Sequence, residues 1–227
     1  MDEHTRTEPK KSTALPLREA CLLEAIEAIR DKGVEGLSLR DVARRLQVSH
    51  QAPYKHFASK DHLLAEVIRR CLHDFAIHLR GSGVAEDGTP LAPQDAMRAL
   101  GHAYLSYAAA QPLEYRLMFM TAWPDEARSL GLASDARAAF DVLGARLEAV
   151  RAYSSNTERD HDAMFVWSAI HGIASVLQSE AMEYLSFSPS NTEAAVAHAM
   201  SLIDVALSEQ AGLDADDLSP DLSSTGD

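Results

Sequence analysis

The chain has 227 residues, of which 46% are hydrophobic and 24% are charged, and its formal net charge is −13. This length suits a small domain joined to a larger one, and the hydrophobic content is ample for both cores. Its two cysteines are too few for a disulfide scaffold and are typical of a reducing cytoplasm. The N-terminus lacks the apolar run of a signal peptide, and no stretch is apolar enough to span a bilayer.

Residues 15–60 are predicted to form a three-helix head. The first helix should run from Leu17 to Asp31, since a glycine that can end a helix follows shortly afterwards. Ser38 can cap a second helix, because Asp41 follows it at the spacing of a capping box.

A tight turn at Gln47-Val48 should lead into a third helix that Ser49 caps. Pro53 falls within its first turn, where few amides have helical partners, so we expect this helix to form with a slightly altered start. Phe57 is assigned to the core. Two helices packed across such a turn hold the second as a rod that fits the major groove of B-DNA. This segment is therefore predicted to read DNA.

The charge distribution favours the same interpretation. Between Leu37 and Lys60 there are five basic residues against one acidic residue, a net charge of +4. The acidic excess must therefore lie in the rest of the chain. A basic segment on an acidic body suits a protein that docks on phosphates through one face. The alternative is a solvated charge run, which is the better interpretation for Arg44-Arg45 taken alone.

Beyond the head the pattern is helical and lacks alternating strand signatures, so the predicted fold class is all-α. A helical domain over residues 61–210 is expected, between a flexible arm (1–14) and a disordered acidic tail (211–227). Its helices are predicted at His62–Arg80, Gln94–Ala110, Pro112–Met120, Ser134–Tyr153, Glu158–Tyr184 and Asn191–Glu209. Capping boxes starting at Thr157 and Ser190 indicate where the last two helices begin.

The stretch from about Leu17 to Leu79 resembles the DNA-binding head of the tetracycline-repressor (TetR) family of bacterial regulators. The matching motifs are Leu37-Ser-Leu-Arg-Asp-Val-Ala, Val48-Ser, Tyr54-Lys-His-Phe and Lys60-Asp-His-Leu-Leu. One departure is Pro53, where a leucine usually precedes the tyrosine. Further along, Trp167-Ser-Ala-Ile-His171-Gly172 is similar to a Trp-x-x-x-His-Gly signature that marks one subgroup of the family.

Side-chain chemistry and position in the family pattern indicate which head residues contact DNA. The predicted base readers are His50, Gln51 and Lys55, because glutamine can pair with adenine and lysine with the acceptors of guanine. The predicted phosphate contacts, which set the orientation, are Ser38, Arg40, Tyr54, His56 and Lys60. A place in the core is the alternative for Tyr54.

The last two predicted helices carry almost no charge, with none between residues 163 and 179 or between 194 and 203. A helix that is apolar most of the way round must be covered on more than one side. The resemblance implies that the helices near 158–184 and 191–209 form a four-helix homodimer interface; a buried hairpin in a monomer is the alternative. A two-fold dimer would read both half-sites of a pseudo-palindromic operator.

The helical domain is also predicted to hold a ligand pocket, because it contains more large aromatic and methionine side chains than helix packing requires. The candidate lining residues are Met97, Tyr104, Tyr107, Met118, Phe119, Trp123, Phe140, Met164, Trp167 and His171. His171 is the candidate polar group that would orient a mostly apolar effector. The alternative is an ordinary core in which the histidine has its partners.

The resemblance implies a repressor whose operator affinity changes when the effector binds, and the helix at His62–Arg80 is the natural connection between the two domains. Rival interpretations are a DNA-binding regulator without small-molecule input, which a collapsed domain would favour, and a helical adaptor that binds partner proteins. The ten histidines contain no HxxxH pair, so a metal sensor is disfavoured. No phosphate loop, nucleophile elbow or paired carboxylates indicate an enzyme, and no cofactor is predicted.

Overall fold

The computed structural model describes residues 15–185 and 188–217. The described chain is all-α, as predicted, and the only β-type pairing among these residues is an isolated bridge between Val84 and Pro90. The predicted arm over residues 1–14 and residues 218–227 of the predicted tail lie outside the described residues. Within the described residues, no helix is both long and apolar enough to cross a membrane.

The chain divides into two compact units. The head unit extends through Val67 and also includes Trp123–Leu130, whereas the body unit comprises Ile68–Ala122 and the chain from Gly131 onward. The helices of the head are α1 (Leu17–Lys32), α2 (Leu39–Arg45) and the first part of α3 (Lys60–Gly81), together with the short α6 (Glu126–Ser129).

Apolar residues on one side of α1 form most of the head core, together with residues of α2 and Phe57. Cys21 and Ala25 are fully buried, and so are Val42 and Phe57. Phe57 was assigned to the core from the sequence, and the structure confirms this. At the edge of the core, the guanidinium of Arg18 lies 5.7 Å from the centre of the Phe57 ring.

The start of α2 has the predicted cap. The backbone N–H of Asp41 donates a hydrogen bond of 3.1 Å to Oγ of Ser38, which satisfies one of the free amides of the first turn. The carboxylate of Asp41 faces basic side chains and accepts hydrogen bonds from Arg44 (2.5 Å), Arg45 (3.0 Å) and Lys32 (3.1 Å). The Asp41 carboxylate therefore pairs with both arginines in the last turn of α2 and with Lys32, the last residue of α1.

The third helix of the predicted head is largely absent, and this corrects the sequence interpretation. Only a single 3-10 turn forms, over Pro53–Lys55, and Ser49 does not cap it through its side chain. Its hydrogen bonds mostly span three residues, such as His56 N–H to Pro53 O at 2.9 Å. Pro53 has no N–H to bond the carbonyl four residues earlier, which removes one bond of the first α-turn. A tight turn with polar side chains replaces the expected rod.

The body contains the remaining helices. They are the rest of α3, α4 (Pro93–Ala110), α5 (Pro112–Phe119), α7 (Leu132–Val150), α8 (Asn156–Leu177), α9 (Ala181–Tyr184) and α10 (Pro189–Asp217). Helices α4, α7 and α8 pack on one another, and α10 packs on α8. Their shared core includes Leu100, Leu143, Leu147, Val166 and Ile170, all of which are buried.

The starts of the last two long helices differ from prediction by two residues. Ser155, not Thr157, caps α8, because its Oγ accepts a 3.2 Å hydrogen bond from the N–H of Glu158. For α10 the corresponding cap is Ser188, which accepts from the N–H of Asn191. Pro189 then occupies the first helical position, where its missing N–H has no cost. Several residues near each start have capping chemistry, and the tertiary fold selects among them.

Helix ends also differ. The predicted helix over 158–184 ends at Leu177. Just after this end, Oγ of Ser179 donates a 2.8 Å hydrogen bond to the carbonyl of Val176. Such bonds from serine side chains compete with helical ones. In contrast, α10 continues to Asp217, into the segment expected to be a disordered tail. Alanine and leucine at 211, 213 and 215 favour this continuation.

We expect Gln47→Gly to stabilise the head. Gln47 follows α2 with φ of 55°, in the left-handed region, where a side chain costs about 1–2 kcal/mol. Glycine avoids this cost, but it makes the unfolded chain more flexible, which lowers the free energy of unfolding by about 0.5–1 kcal/mol. The net effect should be an increase of about 0.5–1 kcal/mol in the free energy of unfolding. Urea titration measures it.

Gln47→Ala is the matched control, since alanine shortens the side chain without removing the strained Cβ. If alanine stabilises the head as much as glycine does, the backbone angle is not the source of the gain.

Candidate DNA-binding surface and effector site

Four of the predicted DNA-contacting residues lie around one surface depression of the head. Its volume is about 500 Å³, and Arg40, His50, Gln51 and Tyr54 line it. Arg40 projects from the first turn of α2, and the other three belong to the turn that follows this helix. The depression thus joins a cation, an imidazole, an amide and a phenol on a single exposed face.

The local backbone explains why these side chains converge. Around Pro53 the chain winds with three-residue hydrogen bonds, such as Ala52 N–H to Ser49 O at 2.9 Å. Residues three apart lie above one another in such a winding, and Gln51 and Tyr54 have this spacing. Tyr54 is exposed, so the alternative of a place in the core is wrong for this residue.

The other predicted contacts are arranged differently. Lys55 and His56 are exposed but do not line the depression. Lys60 begins α3 and donates a 3.0 Å hydrogen bond from Nζ to the carbonyl of Glu35. The hydroxyl oxygen of Ser38 serves as the cap of α2. Ser38 and Lys60 therefore already have structural roles inside the head.

Much of the positive charge counted in the sequence is neutralised locally. Arg45 pairs with Asp31 at 2.8 Å, with Asp41 at 3.0 Å and with Glu24 at 3.3 Å. Arg44 leads the groups that hold the pKa of the Asp41 carboxyl well below its usual range, and Lys32 and Arg45 add to it. Arg40, by contrast, forms no ion pair with any residue that the structure describes. It is therefore a cation that is available to a phosphate.

The body brings five of the predicted pocket residues into one aromatic cluster. The Phe119 ring centre lies 5.3 Å from that of His171 and 6.3 Å from that of Trp167. Trp167 also contacts Phe140 at 6.0 Å in an edge-on geometry, and Tyr104 stacks on Phe119 at 6.4 Å. Helices α4, α5, α7 and α8 each contribute at least one of these rings. Phe75 and Tyr115, which are not among the predicted pocket residues, are two further members of the cluster.

Hydroxyl groups from two tyrosines surround one nitrogen of His171. The hydroxyl of Tyr115 lies 2.7 Å from Nδ1, and that of Tyr104 lies 3.0 Å from the same atom. Both tyrosines are buried, and their hydroxyl oxygens are 3.4 Å apart. Since both hydroxyl hydrogens need acceptors within this group, Nδ1 serves best as an acceptor, with the ring proton on Nε2.

Burial dominates the acid–base properties of this group. It lowers the pKa of His171, because a charged imidazolium is disfavoured away from water. Burial also raises the pKa of Tyr104, with a further contribution from the hydrogen bond to Tyr115, and burial raises the pKa of Tyr115 as well. At neutral pH the three side chains are uncharged and polar, within otherwise apolar surroundings.

A small cavity lies beside the aromatic cluster. Its volume is about 40 Å³, which is room for about one water molecule. Of the predicted pocket residues, Met97, Tyr104 and Trp167 line it. Unforeseen lining residues come from α4, α7, α8 and α10: Leu100, Gly101, Leu143, Val166, Ile170, Met200, Ile203 and Asp204.

A larger, open groove runs between α8 and α10. It has a volume of about 400 Å³ and an apolar lining that includes Gly172, Val176, Ala195 and Ala199. Nearby on the same two helices, large apolar side chains are exposed. These are Phe165 (48%), Val176 (52%), Leu202 (55%) and Val205 (48%). The chain therefore leaves part of the apolar surface of both helices uncovered.

Comparisons with known proteins agree on the type of protein. Residues 22–67 match the family model of bacterial regulatory proteins, tetR family, and residues 97–216 match that of the tetracyclin repressor-like C-terminal domain. The chain belongs to the tetR family. It is therefore a transcriptional regulator with an N-terminal DNA-binding domain and a C-terminal ligand-binding domain. Among curated proteins, none matches the sequence.

Solved structures share the fold of this tetR-family protein. A protein of unknown function from Rhodococcus sp. RHA1 is 23% identical with a TM-score of 0.66, over 85% of this chain and 98% of that one. A tetR-family regulatory protein from Rhodococcus RHA1 is 17% identical with a TM-score of 0.59, over 84% and 98%. The fatty acid degradation regulator of Bacillus halodurans is 12% identical with a TM-score of 0.60, over 83% and 94%.

Several predicted pocket residues lie elsewhere in this tetR-family regulator. Met164 is 51% exposed, although it has the helical spacing of Trp167 and His171. Trp123 belongs to the head unit. Tyr107 touches the cluster through Phe75, at 5.0 Å, and packs on His78 at 5.4 Å, but it does not line the cavity. Met118 is buried in the core. In helical sequences, apolar residues at one spacing do not indicate which neighbouring helix covers them.

Possible metal ligands are not grouped in the described residues of this regulator. No three or more histidine, cysteine, aspartate or glutamate side chains in that part of the chain gather as a metal ion would require. Cys21 and Cys71 are both buried and unbonded to each other, and burial raises the pKa of the Cys71 thiol to about 12.

We expect Arg40→Ala to weaken binding of this tetR-family protein to every DNA sequence. Loss of one phosphate contact should reduce the slope of log K against log salt by about one unit per head. Arg44→Ala is the matched control, since Arg44 is an equally exposed arginine of α2 that already pairs with Asp41 at 2.5 Å. Gel-shift titrations at several salt concentrations would compare them. Equal losses for the two variants would contradict the role of Arg40.

The lowered pKa of His171 predicts a pH dependence of stability. Because the unfolded chain binds a proton here more readily than the folded one, the contribution of His171 is present above its ordinary pKa of 6.5 and is lost as pH falls below it. Urea titrations at about pH 7.5 and about pH 5.5 should show a smaller loss for His171→Gln than for the parent. His161→Gln, at an exposed position of α8, should behave like the parent.

Proposed function

We propose that this protein is a homodimeric repressor that binds a pseudo-palindromic operator and loses operator affinity when a small, mostly apolar molecule binds in the body. In this proposal, Arg40 and Tyr54 orient the head on phosphates while His50 and Gln51 read bases. The observation that carries it is the depression that these four residues share. Such a grouping of phosphate-seeking and base-reading chemistry is what a DNA-docking face requires.

The replacement of the expected recognition helix by a 3-10 turn affects how the head would read DNA. Gln51 and Tyr54 lie on the same side of the turn, and Lys55 and His56 lie outside the depression. We therefore place Gln51 at the centre of base recognition, where its amide can bond adenine on two sides. Lys55 keeps a predicted role towards guanine at the edge of the contact.

Dimer formation is supported by the apolar surface of α8 and α10. Exposed contiguous apolar patches of this kind usually mark interaction sites, and Gly172 at the groove has open space where a side chain would be. A second copy offers the same two helices, and two-fold symmetry would make the contact self-complementary. The C-terminal family match and the uncharged stretches at 163–179 and 194–203 favour the same partner.

Effector binding is supported by the aromatic cluster and the cavity next to it. Apolar walls with a few polar groups are typical of ligand sites, and Tyr104 and Trp167 belong to both features. The uncharged trio of Tyr104, Tyr115 and His171 suits a ligand without strong charge. Arg98 pairs with Asp204, which lines the cavity, at 2.6 Å, so these two charges neutralise each other.

The two units share a continuous helix, which suggests how the sites communicate. The first part of α3, up to Val67, belongs to the head, and the part from Ile68 belongs to the body. An effector changes operator affinity only if it binds two states of the protein unequally. A shift of α3 that alters the spacing of two heads would provide those states, because half-sites lie a fixed distance apart.

We expect Ala199→Glu to dissociate the dimer without unfolding the protomer. Ala199 lines the groove between α8 and α10, so a partner would bury the new charge, at a cost of about 3–5 kcal/mol if it stays unpaired. Sedimentation should show a folded monomer with reduced operator affinity.

Ala197→Glu is the matched control, since Ala197 is an exposed alanine of the same helix that does not line the groove. It should remain dimeric. An intact Ala199→Glu dimer would show that the interface lies elsewhere.

The proposed effector binding is tested by thermal-shift screening with neutral aromatic compounds. Gel shifts, on DNA that the protein selects from a random pool, then show whether a bound compound changes DNA affinity. A bound compound at about 100 times its Kd adds about 2.7 kcal/mol of stability. Trp167→Ala and His171→Ala should reduce this shift while operator binding without the compound is retained.

The rival interpretations give different outcomes. Sequence-selective DNA binding with no response to any compound would support a regulator without small-molecule input, an outcome that the small size of the cavity favours. Failure to select any DNA sequence would support an adaptor that binds partner proteins. A reporter gene under the selected operator would distinguish repression from activation.

A further inference from the structure

The cavity of the body ends at a glycine. Gly101 of α4 is buried, and a Cβ built on it would lie only 2.3 Å from Cε of Met200 and 3.2 Å from its Sδ. The methyl end of Met200 therefore occupies the space that a side chain at position 101 would take. Both residues line the cavity of about 40 Å³.

Methionine is suited to leave such a position. Its side chain is unbranched, has three rotatable bonds and fills irregular gaps at little cost. The other apolar residues that line the cavity from α7, α8 and α10 are branched, namely Leu143, Val166, Ile170 and Ile203. Branched chains have fewer rotamers that avoid a neighbour. Met97 of α4 is the other methionine of the lining, but the atoms nearest to the space beside Gly101 belong to Met200, so Met200 is the movable wall at this end of the cavity.

We propose that Met200 is the plug of the effector pocket, and that the pocket opens when a ligand displaces the Met200 side chain from Gly101. This inference rests on the proposed function, since it assigns the effector site to the space between α4, α7, α8 and α10. Once Met200 swings away, its volume adds to the existing cavity beside Tyr104 and Trp167. The enlarged space is bounded by aromatic and aliphatic walls.

The size and chemistry of this space define the class of ligand. An apolar cavity of about 150 Å³ stays dry and takes up benzene or xenon. The cavity here, together with the volume of a methionine side chain, approaches that range. The ligand class is therefore small, neutral and planar, such as a compound with one aromatic ring or two fused rings. Asp204, the one carboxylate among the described lining residues, is held by Arg98 at 2.6 Å, and Tyr104 is uncharged at neutral pH, which disfavours a charged ligand.

The location of the plug also assigns a second role to α10. Met200 and Ile203 face the body core, whereas Leu202 and Val205 of the same helix are exposed on the outside. A ligand that moves Met200 acts directly on the helix that carries the proposed subunit interface. In this proposal, the size of the ligand affects the position of α10 and, through it, the arrangement of the two protomers.

The test uses benzene and indole as probes with the full-length protein, with binding measured by calorimetry and by ligand-observed NMR. Met200→Ala empties the plug position and should bind indole at least about tenfold more tightly than the parent, which is the gain expected from about 1.4 kcal/mol. Met200→Leu keeps the volume but is branched, so it should bind more weakly than the parent.

Gly101→Ala tests the other side of the contact. Its new methyl group would permanently fill the space that the end of Met200 has to vacate for a ligand. The fold should survive because the Met200 side chain is flexible, and probe binding should be lost. Gly144→Ala is the matched control. Gly144 is a buried glycine of α7 whose Cβ would meet only the Arg159 side chain, at 3.6 Å. Both substitutions improve helix propensity equally, so only the displacement of Met200 separates them.

Probe binding is read without DNA, which separates this inference from the proposed function. Tighter binding by Met200→Ala with loss in Gly101→Ala supports the plug, whether or not the probes affect operator binding. Unchanged probe affinity in a folded Met200→Ala protein, or equal affinity in Gly101→Ala and Gly144→Ala, would overturn it. If Met200→Ala does not fold, the Met200→Leu and Gly101→Ala pair decides.

Discussion

Because α8 carries no charged residue between positions 163 and 179, the body must surround this helix with apolar partners. Helices α4, α7 and α10 pack against it, and α5 places Phe119 and Tyr115 over Trp167 and His171. Apolar area buried at about 25 cal/mol per Å² is the main gain of this arrangement. The protomer still leaves Phe165 and Val176 half exposed. The core, the cavity and the proposed interface all follow from the need to cover one helix.

Within that core, a polar group must be uncharged and hydrogen-bonded, because it is buried. His171 and the tyrosine hydroxyls around it satisfy one another at 2.7–3.4 Å, and so they remain uncharged without a cost in lost hydrogen bonds. The aromatic rings provide rigid walls, and the unbranched Met97 and Met200 provide adaptable ones. A site of this kind discriminates ligands mainly by shape and apolar area, since it offers neither a free cation nor a free anion.

In the head, charged side chains mainly pair with one another and stabilise the fold. Few cations therefore stay available for DNA. Lys32 and Arg45 join α2 to α1 through Asp41, Glu24 and Asp31, and Arg44 pairs with Asp41 within α2. These cations therefore hold the scaffold instead of adding to the field at the surface. Arg40, at the edge of the depression, has no ion pair with any described residue and is the proposed phosphate contact. In the proposed complex, this division would make the contacts of Gln51 and His50 with bases more important to affinity than the sequence charge of the head suggests.

The sequence by itself determined the all-α class, the family, the cap at Ser38 and the burial of Phe57, because these depend on local chemistry and on short-range spacing. It also predicted the aromatic residues that meet at His171, although not Phe75 or Tyr115, which have the same apolar pattern as any core residue. Only the tertiary structure decided that Pro53 reduces the third helix to a 3-10 turn, that Ser155 and Ser188 are the caps, and that Met164 faces outward. It alone placed Met200 against Gly101. Which side chains face each other across helices depends on packing between segments far apart in the chain, and helical periodicity carries no record of the partner.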